Sequence, residues 1–423
     1  MPKVCFYFLL HQPYRLRDYR VFDLGKHSDY YENKKEQQNK EVFLKVCRTS
    51  YEPMLTLLLE LLEKQPQFKF SLSMTGTFLE QAEAWQPEII EILKKITAHQ
   101  DQVEVLVETY YHSMAALYSP EEFRKQVKKH LQKIWKLFKV KPTALRNTEL
   151  IYSNEIGRLA AGLGYELVLT EAVPRYLGDR KREQLFRSYA KEEDQVYLLL
   201  KNAEMSDDIA FRFSQKSWVS WPLTADKYIK WLDKYGDGDF VNLFMDFETF
   251  GEHQWAETGI FDFFRDFVNK FIEGDGREKS GGKRHHQFVT PTEAKEIALQ
   301  GLVEMELNTD VIPVYDVPVP ISWADQERDI SAWVDNALQK DALKQVFDLE
   351  KAVWQSQDLA LIDDWQKLTT SDHYYYMCTK YFSDGDVHAY FNAYNSPLEA
   401  YRRFCIVLSD LKSRVLSKTK KTD

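Results

Sequence analysis

Two carboxylates in the sequence are surrounded in opposite ways. Glu149 stands in ALRNTELIYSNE, just after Arg146 and Asn147, and Asp246 stands in FVNLFMDFETFGEHQW, just after Leu243, Phe244 and Met245. A nearby guanidinium keeps a carboxylate ionised, which is what a nucleophile needs. An apolar run before a carboxyl desolvates it and raises its pKa, which is what a general acid needs. One carboxyl pushed down and one pushed up is the division of labour in glycoside hydrolysis. The plainer reading of the same residues is an ion pair of Glu149 at a strand end and a helix cap at Asp246.

Other side chains fall in or just after predicted strands and belong with this pair: His11, Glu104, Glu108, Glu248 and His253, with His112 a little beyond. Neutral imidazoles at His11 and His112 suit hydrogen bonds to sugar hydroxyls. Tyr110, Tyr111, Trp218, Trp221, Trp255 and Trp323 offer flat faces that stack on pyranose rings, although each is also ordinary packing material. Asp325 lies with Glu327, Arg328 and Asp329 between Trp323 and Trp333, which fits a helix start or a substrate-binding edge equally well. With no basic cluster and no glycine-rich phosphate loop, acid and nucleophile chemistry fits better than phosphoryl transfer. A metal-dependent deacetylase using His11, Asp246 and His253 as ligands is the rival from another enzyme class.

Residues so far apart converge only if the fold brings strand ends to one face. Val4 to Leu10 is an apolar run of strand length, closed by His11-Gln12-Pro13. Glu41 to Lys64 has helical spacing, and Phe68 to Met74 reads as the second strand. The alternation continues: helices at 87–96, 120–138, 156–163 and 224–235; strands at 103–109, 143–150, 165–170, 195–200, 209–213, 240–246 and 287–290. Strand and helix in alternation imply a parallel sheet, and this many strands over so long a stretch imply an α/β barrel, complete or incomplete. Residues 273–287, with His285 and His286, read as an exposed loop. After Thr292 the strand pattern is lost and helical stretches appear at 330–357 and 397–416, so a helical C-terminal domain is expected over 296–423 after a barrel over 1–295. The tail SKTKKTD reads as disordered.

The net charge of −9 argues against a nucleic-acid partner. Cys5, Cys47, Cys378 and Cys405 are widely spaced, so free thiols in a reducing compartment are expected rather than a disulfide framework. The apolar run near the N-terminus is too short for a membrane span and lacks a cleavage site, which points to a cytoplasmic protein with no membrane partner.

The motifs HQPYR at 11–15, VEVLVETYYHS at 103–113, RNTELIYSN at 146–154 and MDFETFGEHQW at 245–255 resemble four of the five sequence regions of glycoside hydrolase family 57. The segment 321–333 resembles the fifth, and TSDHYYYM at 370–377 is similar to a stretch in the helical region of the family's α-amylase-like members. One departure is Asp101-Gln102, where a glycine often precedes the VE of the second region. The resemblance implies an incomplete barrel of seven strands and a helical domain that helps form the cleft. It implies retaining chemistry on α-1,4-glucans such as starch, glycogen and maltooligosaccharides, without metal or other cofactor. By position Glu149 matches the nucleophile and Asp246 the acid/base, with His11, Glu104 and His112 near the substrate. Arg146, Trp221, Glu248, His253, Trp255, Trp323 and Asp325 complete the expected substrate-binding set. An α-amylase is the expected activity; a 4-α-glucanotransferase and a catalytically silent glucan-binding protein are the alternatives.

Overall fold

The computed structural model describes residues 2–35, 37–236, 239–274, 287–380 and 392–419. Its organising strand is β1 (Lys3–Leu10), whose run Val4 to Leu10 is buried throughout, as a strand covered on both faces requires. Parallel to it lie β2 (Phe70–Met74) on one side and β8 (Phe240–Asp246) on the other, and β3 (Val103–Val105) pairs with β2. A second sheet contains β4 (Ala144–Arg146), β5 (Leu167–Glu171), β7 (Tyr197–Lys201), β6 (Phe186–Ser188) and β10 (Val314–Tyr315). Short β9 (Gln287–Phe288) pairs with the start of β1.

The two sheets are joined into an incomplete (β/α)7 barrel. Past the end of β3, Val107 bridges to Leu145 of β4, with backbone hydrogen bonds of 3.1 and 2.9 Å. On the far side the ladder is interrupted. Antiparallel β6 occupies the first half of the edge of β7, and only the strand ends meet β8, where Asn202 N–H donates to the Asn242 carbonyl at 2.8 Å and the Asn242 side chain donates to Leu200 O at 2.9 Å.

Helices cover the barrel where the sequence spacing places them. Pro120–Phe138 begins with Pro in its first turn and with the Ser119 side chain accepting from Glu122 N–H, a strong start signal. The single stretch expected from Glu41 to Lys64 consists of helices Gln38–Val46 and Glu52–Lys64 joined by a π turn at Cys47–Tyr51. That extra residue per turn brings Tyr51 to the interior, where its hydroxyl reaches Glu248.

Some expectations need correcting. Residues 209–213 are no strand: Ala203–Ala210 is a helix capped by Asn202, and Ile209 is one of its buried positions. A two-residue apolar pair within a helical face cannot be told from a short strand by pattern alone. The strand pattern does not end at Thr292, because β10 adds to β6. The last helix runs Pro397–Thr419, taking in the start of the tail expected to be disordered; 420–423 and the loop with His285 and His286 lie outside the described residues. One apolar core unites Ile156 and Val168 of the barrel with Trp365 and Phe404 of the helical region.

Candidate active site

Every strand that reaches the C-terminal face delivers a polar residue there. His11 follows β1, Thr75 follows β2, Glu108 follows β3, Glu149 follows β4, Glu171 ends β5, Lys201 ends β7 and Asp246 ends β8. Parallel strands place these ends on one side. A cavity of about 600 Å³ opens there, lined among others by His11, His112, Glu149, Asp246, Glu248, His253, Trp323 and Asp325. Gln12, Arg15, Lys201, Asp207, Arg328 and Asp372 also line it.

Glu149 sits in a tight turn with φ +56°, and Leu150 follows at +50°. Left-handed backbone is costly for residues with a Cβ and tends to occur where function needs the geometry. It is held there by donors from three segments. His112 Nε2 stands 3.3 Å and Ser371 Oγ 3.1 Å from Oε1, and Trp323 Nε1 donates to Oε2 at 2.8 Å. Burial alone would raise the pKa of Glu149, but the His112 hydrogen bond and charge, with Arg146 behind, bring it below the ordinary value. The carboxylate is therefore ionised.

Behind Glu149 lies a relay of charge. His112, itself at φ +52°, donates through Nδ1 to Glu108 Oε2 at 2.8 Å, and Arg146 Nη1 approaches the same oxygen at 3.3 Å. Burial works against the imidazolium, yet the two carboxylates override it and push His112 up to about 9. Burial likewise opposes the Glu108 charge, but His112 and Arg146 hold it at about 2. The His11 ring stacks on His112 at 4.1 Å and, desolvated beside that positive charge, is driven to the neutral form. Neutral His11 donates from Nε2 to Asp372 at 2.9 Å and accepts from Thr75 at Nδ1 at 2.9 Å.

Asp246 is placed differently. It lies at the mouth of β8 next to Phe244 and Met245, partly open to the cavity. Desolvation first, and the Glu149 charge second, raise its pKa to about 6. Glu248, two residues on, is pushed up to about 8 by burial and by Asp246, and is engaged by Tyr51 OH and, at 3.4 Å, by Gln12 Nε2. At pH 6 Glu149 is thus ionised, while Asp246 and Glu248 in the same cavity are carboxyls able to carry protons.

Four expected substrate contacts, Glu104, Trp221, Trp255 and Arg146, lie elsewhere. Glu104 is four residues before Glu108, on the same inward face but roughly 13 Å down the strand. There it accepts from Thr292 N–H at 2.8 Å and Thr143 Oγ1 at 3.1 Å, closing the bottom of the barrel. Trp221 is 42% exposed in a turn where its N–H bonds the Trp218 carbonyl, away from the cavity. Trp255 is 44% exposed beneath Lys45. Gly251, at φ +109° with no room for a Cβ against the Thr49 carbonyl, turns the chain outward before it. Arg146 is buried behind the cavity wall, and its hydrogen-bonded carboxylate is Glu108 rather than Glu149. Tyr110 and Tyr111 bond Glu80 and Asp363 and pack away from the site. Among the described residues no group of three or more His, Cys, Asp and Glu is set to hold a metal ion, the trio of His11, Asp246 and His253 included.

An α/β barrel whose C-terminal face carries two carboxyls of opposite acidity in one cavity defines an enzyme of the glycosidase kind. Comparison with known proteins makes the class specific. Residues 5–306 match the model of glycosyl hydrolase family 57. A protein of Methanocaldococcus jannaschii, provisionally named an alpha-amylase, is 34% identical over 418 residues, covering 97% of this chain and 84% of the relative. The chain belongs to glycosyl hydrolase family 57. A GH57 branching enzyme from Thermococcus kodakaraensis superposes with a TM-score of 0.63 at 13% identity, over 98% of this chain and 90% of that one. A 4-alpha-glucanotransferase from Thermococcus litoralis gives 0.53 at 18% identity, over 82% of this chain and 44% of that one, so the chain spans less than half of it. At these identities the two structures establish the shared fold.

Proposed function

We propose that the protein is a retaining α-glucan hydrolase of the α-amylase kind, in which Glu149 is the nucleophile and Asp246 the acid/base. In the first step Glu149 attacks the anomeric carbon and forms an ester. The glycosidic C–O bond breaks, and the leaving oxygen takes the proton of Asp246. In the second step Asp246 removes a proton from water, whose oxygen displaces Glu149 and restores the original anomeric configuration. The observation that carries this reading is the split in acidity within one cavity: Asp246 raised to about 6, Glu149 lowered. The α-glucan substrate is supported by the names of the related proteins: an alpha-amylase, a 4-alpha-glucanotransferase and a branching enzyme.

The helical region, which we place at 296–423, contributes to the cleft through Trp323, Asp325 and Asp372. Buried free thiols at Cys5, Cys47 and Cys378 fit a reducing, cytoplasmic setting. Among the described residues no helix is long and apolar enough to cross a membrane.

A sugar hydroxyl in place of water would make the same intermediate a transfer reaction. Incubation with maltoheptaose and sizing of the products separates the two. Shorter products alone support hydrolysis; longer products as well show transfer, and no products at all would leave a binding protein.

A further inference from the structure

Glu149 is held by a segment that follows it far along the chain. Trp323, 174 residues later, donates from its indole to Oε2 and from its backbone N–H to the Glu149 carbonyl at 3.2 Å. Just before it, Ile321 and Tyr152 exchange backbone hydrogen bonds of 2.9 and 3.1 Å, so the segment is pinned beside the nucleophile turn at its upstream end. At its downstream end Arg328, at φ +51°, folds back. Its Nη1 donates to the Trp323 carbonyl and stands 3.7 Å from Glu171 Oε2, while Nη2 donates to Asp207 Oδ2 at 3.4 Å. Glu171 ends β5, and Asp207 belongs to the helix after β7, so both acceptors sit on the barrel. No hydrogen-bond partner for Glu171 Oε2 is found among the described residues, which leaves Arg328 and Lys201, at 3.9 Å, as its compensating charges. Lys201 also lies 5.2 Å over the Trp323 ring.

We propose that Arg328 is a positioning residue for the nucleophile: by tying the Trp323 carbonyl to Glu171 and Asp207, it keeps the indole N–H on the Glu149 carboxylate. The inference rests on the reading of Glu149 as nucleophile. Two hydrogen-bond acceptors and the Glu171 carboxylate at ion-pair distance suit the planar fork of a guanidinium, and an ammonium could serve them only in part. Release of the latch frees the Trp323 indole and removes a hydrogen bond from an ionised carboxylate, while the cavity-lining residues other than Arg328 and Trp323 stay in place. The consequence falls on the chemical step.

The test is the pH dependence of kcat and KM on maltoheptaose for Arg328→Ala, Arg328→Lys, Trp323→Phe, Arg328→Ala/Trp323→Phe and Glu149→Gln, with folding checked by circular dichroism. Arg328→Ala should lower kcat roughly ten- to a hundredfold, change KM little, and move the acid limb toward neutral pH, because Glu149 loses a donor. Trp323→Phe keeps a ring and should give the same limb shift. The double variant should lose no more than the worse single one, since both act through one hydrogen bond. Arg328→Lys should fall between, and it carries the test if the alanine variant does not fold. A wild-type kcat and acid limb in Arg328→Ala, or in Arg328→Lys where that variant stands in, would overturn the inference, as would losses that multiply in the double variant. If Glu149→Gln turns over at the wild-type rate, the reading of Glu149 falls and takes this inference with it; if it is inactive while the Arg328 variants behave as wild type, only the inference falls.

Discussion

The surroundings of Glu149 and of Asp246 are built by opposite means. Around Glu149 the fold assembles donors from distant parts of the chain: His112 after β3, Ser371 and Trp323 from the helical region, with Glu108 stabilising the His112 charge and Arg146 holding Glu108 ionised. It accepts left-handed backbone at Glu149 and His112 to do so. Asp246 lies at the end of a regular strand, at φ −65° and ψ 143°, and its acidity is set by burial and by the neighbouring charge of Glu149. On the proposed assignment the nucleophile is made by convergence, and the general acid by burial beside a like charge. The first arrangement depends on long-range docking; the second is nearly local.

Substitutions that erase one side should break the comparison unequally. Glu149→Gln should lower kcat by roughly 10⁴-fold or more, measured by reducing-sugar release, with the folded state intact. Asp246→Asn should cost about 10²- to 10⁴-fold on maltooligosaccharides. On a glucoside with an acidic phenol as leaving group it should still complete the first step, giving a burst of phenol and then a stall, because such a phenol departs without protonation whereas the second step still needs Asp246 as the base. The same variant should gain stability. An unfolded aspartate titrates near 3.8 and Asp246 near 6. The folded state therefore binds the proton more tightly, and its stability falls as pH rises from about 4 to about 6 and stays lower above. Urea unfolding at pH 7 should show Asp246→Asn more stable than the parent by about 1 to 3 kcal/mol.

His112→Gln should lower kcat roughly ten- to a hundredfold and move the acid limb of kcat/KM upward in pH, since the imidazolium that holds Glu149 ionised is gone. In the parent enzyme the profile should be a bell: an acid limb below the usual glutamate value from Glu149 and an alkaline limb near 6 from Asp246. Glu248→Gln should do least. Glu248 carries its proton up to about pH 8, so the amide leaves the charge near Asp246 unchanged, and the alkaline limb measured by kcat/KM should stay where it is.

The parts of this site visible in the sequence are the local ones. Asp246 announces itself by the apolar run before it, and the chain between β1 and β8 shows its strand and helix alternation plainly. Glu104 and Glu108 are both candidates in the sequence because a period of two puts both on the inward face, and only the length of the strand tells that Glu108 occupies the cavity end and Glu104 the other. Trp221 and Trp255 carry the right chemistry, but exposure is decided by turns such as Gly251 that composition does not reveal. Arg146 precedes Glu149 by three residues yet serves Glu108, and the group that mainly holds Glu149 ionised, His112, comes from another strand. Lys201 had the same signal as the other site residues, a polar residue ending an apolar run. Arg328 and Asp372 lie in stretches that the sequence marks, 321–333 and 370–377, but their individual roles depend on how the helical region docks.

The most direct test of the central claim is to trap the glycosyl-enzyme with a 5-fluoro-α-glucosyl fluoride, a substrate whose intermediate hydrolyses slowly, and to locate the added sugar by peptide mass spectrometry. The account predicts one fluoroglucosyl group on Glu149, accumulating in the parent enzyme and persisting longer in Asp246→Asn. A label on Asp246, or turnover of maltoheptaose with inversion at the anomeric carbon, would contradict it.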